Sequence, residues 1–213
     1  MQYGQPMTIA YTQSSYQAAI AYRAMLEYYT HCVTLVELDS EEKALSFFGR
    51  PPHCALTILM CHGWGESEAD AVLSLDVKRQ VNRVEYETVQ LNLSPARLSE
   101  VLGSCSQAPH GAGIFLNTAC WSGKTAFAQP VLAAGYEAYI APEKTADMFS
   151  QYQFVAAFVG TLLHEVRDWG AYPVSIRQAF ERAKQSDDFW DGAAGFRLFE
   201  KRQSEQGTAV GPI

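Results

Sequence analysis

A histidine followed by a glycine, His62-Gly63, closes the apolar run ALTILMC, and a cysteine, Cys120, follows the apolar run AGIFLNTA. A thiol and an imidazole together can do covalent chemistry. The thiol attacks an electrophilic carbonyl carbon, and the imidazole takes up the proton and later returns it. Gly63 has no side chain, so a substrate can approach its backbone, and its N–H can serve a developing oxyanion. The N–H of Cys120 is the natural second donor. This chemistry requires the two runs to be neighbouring strands whose ends emerge on one edge of a sheet.

The chain supplies elements that could arrange this. Buried-looking strands are expected at MTIAYT (7–12), VTLVEL (33–38), ALTILMCHG (55–63), AGIFLNTA (112–119) and YEAYIA (136–141), with GFRLFE as a last edge strand. Helical spacing runs through 14–30, with a serine of the Ser14-Ser15 pair as candidate cap, and through 39–49, where the first turn is acidic. It recurs in SPARLSEVLGS (94–104), which has Ser at the cap and Pro at the first helical position. A further helix ends at LAAG (132–135), and two more follow in TADMFSQYQFVAAFVGTLLHEV and PVSIRQAFERAKQ. Between His62 and the 94–104 helix, two alternating runs over 71–91 predict an antiparallel ribbon. Strands alternating with helices call for one α/β domain with a mainly parallel sheet of five or six strands, covered on both faces. Ligands of such sheets bind beyond the carboxyl ends of the strands.

Composition narrows the function classes. With 213 residues, 48% of them hydrophobic and 18% charged, the chain can bury a substantial core. A net charge of −7 argues against nucleic acid as a partner held by its phosphates. The N-terminus lacks a basic-then-apolar leader, and FVAAFVGTLL is far shorter than the ~20 residues of a membrane span. Five cysteines, none in a CxxC pair, speak against a disulfide framework or a zinc site built on such pairs. The expectation is a soluble cytoplasmic protein with reduced thiols, needing no metal or organic cofactor and binding neither nucleic acid nor membrane.

The blocks LMCHGWGE and FLNTACWSG resemble the His-Gly and Ala-Cys blocks of the caspase-like cysteine peptidases, a group that includes caspases, CHAT-domain proteases and separases. The resemblance spans roughly residues 7 to 200 in element order, and LAAGYEAYIAP is similar to the CHAT branch. It implies a caspase-like three-layer sandwich over 1–200, followed by a polar, disordered tail at 201–213. It further implies His62 as general base and acid, Cys120 as nucleophile, and Gly63 with Cys120 as the oxyanion hole. The pattern departs from true caspases, because Trp121-Ser122-Gly123 stands where a basic residue and glycine would follow the cysteine. A preference for aspartate is therefore not implied. Calcium activation occurs in some members of the group.

Other residues compete for roles. In this group the loop after the fifth strand contributes to the pocket for the residue before the scissile bond. Here that loop is APEKTAD, so Glu143 or Asp147 would meet a basic substrate side chain. Alternatively, Lys144 neutralises Glu143 and Asp147 caps the next helix, leaving an apolar pocket of Trp64, Trp121 and Phe149. The acids Glu66, Glu68 and Asp70 read as a solvated loop. The stretch SGKT (122–125) lacks the glycine that a phosphate-binding loop needs at position 118. Pro130 places the start of the following helix near Gln129, with a loop from Trp121 to Ala128. Cys61, Cys32, Cys54 and Cys105 read as core, and His31, His53, His110 and His164 as structural or solvated. Two function classes remain: a cysteine endopeptidase acting on a protein or peptide, and a catalytically silent module that binds a regulatory protein partner through the same cleft.

Overall fold

The computed structural model describes residues 5–28, 32–50, 52, 54–82, 84–103, 113–164, 174–189 and 195–201. Nine strands are present among them: β1 (Met7–Tyr11), β2 (Val33–Glu37), β3 (Leu56–Met60), β4 (His62–Trp64), β5 (Val72–Gln80), β6 (Tyr86–Leu93), β7 (Ile114–Asn117), β8 (Ala138–Pro142) and β9 (Phe196–Glu200). Six helices accompany them: α1 (Tyr16–Glu27), α2 (Glu41–Gly49), α3 (Pro95–Gly103), α4 (Thr125–Ala133), α5 (Met148–His164) and α6 (Ile176–Phe189). Six strands form the central sheet in the order β2-β1-β3-β7-β8-β9, parallel except for the edge strand β9. The two strands that deliver the histidine and the cysteine are direct parallel neighbours, with Leu56 opposite Ile114 and Leu59 opposite Asn117. Strands β4, β5 and β6 form a separate antiparallel sheet.

Alternation along the strands sends side chains to two cores. Ile9, Ile58, Met60, Leu116 and Ile140 pack with α1, α5 and α6 on one face. Ala10, Leu59, Phe115 and Tyr139 pack on the other with α2, α3, α4 and the inner ribbon residues Leu73, Leu75 and Val77. The described residues thus form an α/β three-layer arrangement, and the buried strands read as near-continuous apolar runs because both faces are covered. The expected helix start at Ser94 holds, with Ser94 Oγ accepting the Arg97 N–H at 3.2 Å, and α2 has the same kind of start at Ser40, whose Oγ accepts the Lys43 N–H at 3.3 Å. At the end of α4, Gly135 takes φ 109° and its N–H reaches the Leu132 carbonyl, the left-handed exit that glycine favours.

The structure corrects the sequence reading at four places. His62-Gly63 does not end β3; the strand stops at Met60, Cys61 bridges, and His62 begins β4 in the second sheet. Helix α4 begins at Thr125 and carries Pro130 within it, because the Glu68 carboxylate accepts the N–H groups of Thr125 and Ala126 at 3.0 and 2.9 Å. Helix α1 begins at Tyr16, not at 14, after a 3-10 turn at Gln13–Ser15, and the serine at its N-cap position, Ser15, makes no side-chain capping bond. Cys32 is exposed rather than core, whereas Cys54 and Cys61 are buried as expected. His31, His53, His110, Cys105 and the tail beyond Lys201 lie outside the described residues, and of His164 only the backbone is described. No helix among the described residues is long and apolar enough to cross a membrane.

Candidate active site

The carboxyl ends of four adjacent strands, β1, β3, β7 and β8, lead into the segments that carry the candidate residues. From β3 the chain passes through Cys61 into β4. There Gly63 lies so close to the loop after β7 that a Cβ on it would sit 1.9 Å from the Cys120 carbonyl oxygen. No side chain other than hydrogen fits, and the backbones that carry His62 and Cys120 touch at this point. Gly123 is similarly pressed against the end of β8, where a Cβ would fall 2.7 Å from the Ala141 carbonyl oxygen.

The loop that presents Cys120 is held by buried polar groups. Thr118 binds the Leu59 carbonyl through both its N–H and its hydroxyl, and Asn117 Oδ1 accepts the Ala119 N–H at 2.9 Å. Asn117 Nδ2 donates to the Tyr139 hydroxyl, which donates to the Ser122 carbonyl at 2.9 Å, while Ser122 Oγ donates to the Ala119 carbonyl at 2.6 Å. Such a network, satisfied inside a low-dielectric core, fixes backbone geometry. It holds Trp121 at φ 60°, a left-handed conformation that costs a non-glycine residue about 1–2 kcal/mol. Lys124 lies 5.4 Å over the Trp121 ring and donates from Nζ to the Glu66 carbonyl, so this largely buried lysine braces the loop.

Cys120 is half-buried, and its sulfur meets the peptide after β8: the Ala146 N–H points at Sγ from 3.4 Å and Sγ donates to the Ala146 carbonyl at 3.6 Å. The Cys120 N–H has no acceptor among the described residues. His62 is half-exposed, stacks on Trp64 at 6.4 Å between centroids, and places Nε2 3.8 Å from Asp76 Oδ2. The imidazole and the thiol each have a neighbour of their own, and no hydrogen bond between them is present. Cys61, directly under the site, has its thiol pushed up first by burial, then by the charges of Asp76 and Cys120. It is a poor nucleophile on that account.

The remaining sequence candidates divide. Trp64 and Phe149 are exposed, at 56% and 57%, and Met148 joins them at 65%. Asp147 caps α5, accepting the N–H groups of Phe149 and Ser150 and the Ser150 hydroxyl; these bonds, the hydroxyl foremost, hold its carboxyl below the ordinary range. Glu143 pairs with Arg197 of β9 at 3.2 Å rather than with Lys144. Sequence reasoning missed Asp76, Ser14 and Ala146. The alternating polar residues Ser74 and Asp76 were visible in AVLSLDV, but their proximity to His62 depends on the ribbon register. Neither protein-family models nor curated protein sequences match the chain.

Proposed function

We propose that the protein is a caspase-like cysteine endopeptidase using a His62–Cys120 dyad. The observation that carries this reading is the contact of Gly63 with the Cys120 carbonyl, at the seam between adjacent parallel strands whose ends supply an imidazole and a thiol. In the proposed reaction the Cys120 thiol passes its proton to His62, and the thiolate adds to the scissile carbonyl. The Gly63 and Cys120 N–H groups receive the oxyanion. The amine leaves with the proton from His62, forming a thioester. Water then attacks the thioester, giving its proton to His62, and the Cys120 sulfur departs and is reprotonated.

On specificity, Asp147 and Glu143 are both engaged within the chain, which weakens the case for a basic substrate side chain. The exposed Trp64, Met148 and Phe149 favour an apolar residue before the scissile bond. A peptide library decides this: turnover after Leu, Met or Phe is expected, and turnover mainly after Arg or Lys refutes it. Cys120→Ala and His62→Ala are each expected to abolish cleavage while leaving the unfolding midpoint close to that of the parent. Their combination should be no worse than either alone, because the pair acts as a unit.

The second reading, a silent module that binds a protein partner through this cleft, is favoured by one observation. The sulfur faces the Ala146 peptide and the imidazole faces Asp76, so the dyad is open in this state. Catalytic hydrogen bonds in unliganded enzymes are often long and tighten only with substrate, so the enzyme reading is preferred. Normal cleavage by Cys120→Ala, or no cleavage of any library member by the parent, overturns it.

A further inference from the structure

We infer that Asp76 is a positioning residue for His62. It holds the imidazole with Nε2 toward its carboxylate and leaves Nδ1 to exchange the proton with Cys120. This inference rests on the dyad reading above.

The register of the ribbon brings the two residues together. His62 lies opposite Ser74 in the antiparallel β4–β5 pair. Asp76 is two positions further along β5, on the same face, within diagonal reach of a histidine. The carboxylate is the better buried partner, with 16% of the Asp76 side chain exposed against 49% for His62. It is also fixed from a third element. Ser14 Oγ donates at 2.6 Å to Oδ2, the same oxygen that faces Nε2. Ser14 is in contact with Thr12 Oγ1 at 3.1 Å, and the Thr12 N–H is bound to the Met60 carbonyl at the end of β3. The turn after β1, the end of β3 and strand β5 are thereby tied around one carboxylate oxygen. Its charge reaches the site, since it is the second cause of the raised Cys61 thiol.

The chemical consequence concerns proton transfer. When the Cys120 S–H gives its proton to Nδ1, a thiolate and an imidazolium form, and the Nε2–H of that imidazolium faces Asp76. A carboxylate at this distance stabilises the charged pair over the neutral one, and it selects the tautomer that has a lone pair on Nδ1.

The test is the rate at which iodoacetamide alkylates Cys120 in the full chain, read from the Cys120 peptide by mass spectrometry. The parent is compared with His62→Ala, Asp76→Asn and the double variant. Asp76→Asn is expected to slow alkylation about two- to fivefold, in keeping with a half-exposed ion pair. His62→Ala should slow it further, and the double variant should match His62→Ala alone. In ¹⁵N NMR of the neutral ring, the parent should carry its proton on Nε2, and Asp76→Asn should shift the population toward Nδ1–H. Ser14→Ala, which removes the donor to the same oxygen, should slow alkylation two- to threefold only when His62 is present. That variant decides the matter if Asp76→Asn does not fold. Unchanged alkylation in His62→Ala refutes the dyad and this inference with it. A slowed His62→Ala beside an unchanged Asp76→Asn overturns the inference alone. So does an Asp76→Asn effect of equal size with and without His62, which marks a structural role.

Discussion

Gly63→Ala isolates the contact on which the site is built. The new Cβ would lie 1.9 Å from the Cys120 carbonyl oxygen, 3.0 Å from its carbonyl carbon and 3.1 Å from Ala119 Cβ. A carbon–oxygen contact settles at about 3.3–3.6 Å, so β4 and the cysteine loop must separate by roughly 1.4 Å. Neither side yields easily. The loop is held by the Asn117–Tyr139–Ser122 network, and β4 is paired along its length with β5. Overpacking of this kind costs about 1–3 kcal/mol, which for a chain of this size lowers the unfolding midpoint by roughly 3–10 °C. Function should suffer more than stability, because a misplacement of about 1 Å can cost ~10²-fold in rate. The assays are thermal unfolding and peptide cleavage, with Cys120 alkylation as a probe of the thiol. Gly103→Ala is the control. It ends α3 with nothing among the described residues within 4 Å of the new methyl, so stability should rise by about 0.4–1 kcal/mol through reduced unfolded-chain freedom, a shift of roughly 1–4 °C in the midpoint. If Gly63→Ala matches the parent in both unfolding and cleavage, the close approach of the two backbones is wrong, and with it the geometry of the dyad.

Three further outcomes follow from the structure. Glu68→Ala strips two N–H groups at the start of α4 of their acceptor and should cost about 1 kcal/mol, read as a drop of a few degrees in the midpoint; an unchanged midpoint removes Glu68 as the reason α4 starts early. Asp147→Ala should cost about 1 kcal/mol at neutral pH. Because its folded carboxyl is held below the unfolded value, that contribution exists above about pH 4 and is lost as pH falls through the folded value, so parent and variant should converge in denaturant melts as the pH is lowered further. At the alkaline end, burial pushes the hydroxyls of Tyr22, Tyr136 and Tyr139 up. Groups raised in the fold give stability that is complete below the unfolded value and is lost above it. The Cys61 thiol, raised by burial, adds to the same trend, so stability should fall increasingly above about pH 10, and Tyr139→Phe should make that fall shallower. Tyrosine ionisation well ahead of unfolding would contradict it.

The sheet was legible because its inner strands are covered on both faces and read as near-continuous apolar runs, and the adjacency of β3 and β7, which the proposed chemistry requires, is observed. The break at Cys61 was not legible. Cys61 is apolar and buried in the same core as Leu59, so the pattern continues while the hydrogen-bonding partner changes from the central sheet to the ribbon. Pro130 misled because proline is common at a first helical turn, whereas the true start is capped by Glu68, 57 positions earlier. Glu143 offered Lys144 as an adjacent partner, but its ion pair comes from Arg197 on β9. Ser14 read only as one of two serines at a helix start; the fold reveals that its hydroxyl points at Asp76. Each miss is a side chain whose partner is distant in sequence, which local pattern cannot report.

Spatial order explains why those distant partners matter. Chain order gives Ser14, His62, Asp76, Cys120 and Ala146. Across the sheet edge, the ends of β1, β3, β7 and β8 set the turn of Ser14, the histidine, the cysteine and the Ala146 peptide in a row. With strands about 4.8 Å apart, the row is about 14 Å long. It is chemically asymmetric: the β1 side offers a carboxylate and the β8 side only a neutral peptide. A positive charge arising on the imidazole is therefore met on its own side. A negative charge arising on the sulfur meets the Ala146 N–H on the other side and no carboxylate, since Asp147 is turned into the start of α5 and Glu143 is paired with Arg197. Moving a proton from the thiol to the imidazole runs along this asymmetry, at the cost of the bond from the thiol to the Ala146 carbonyl. An arrangement made only to pack the sheet edge has no need of that polarity, and this favours chemistry over passive binding at the seam of β3 and β7.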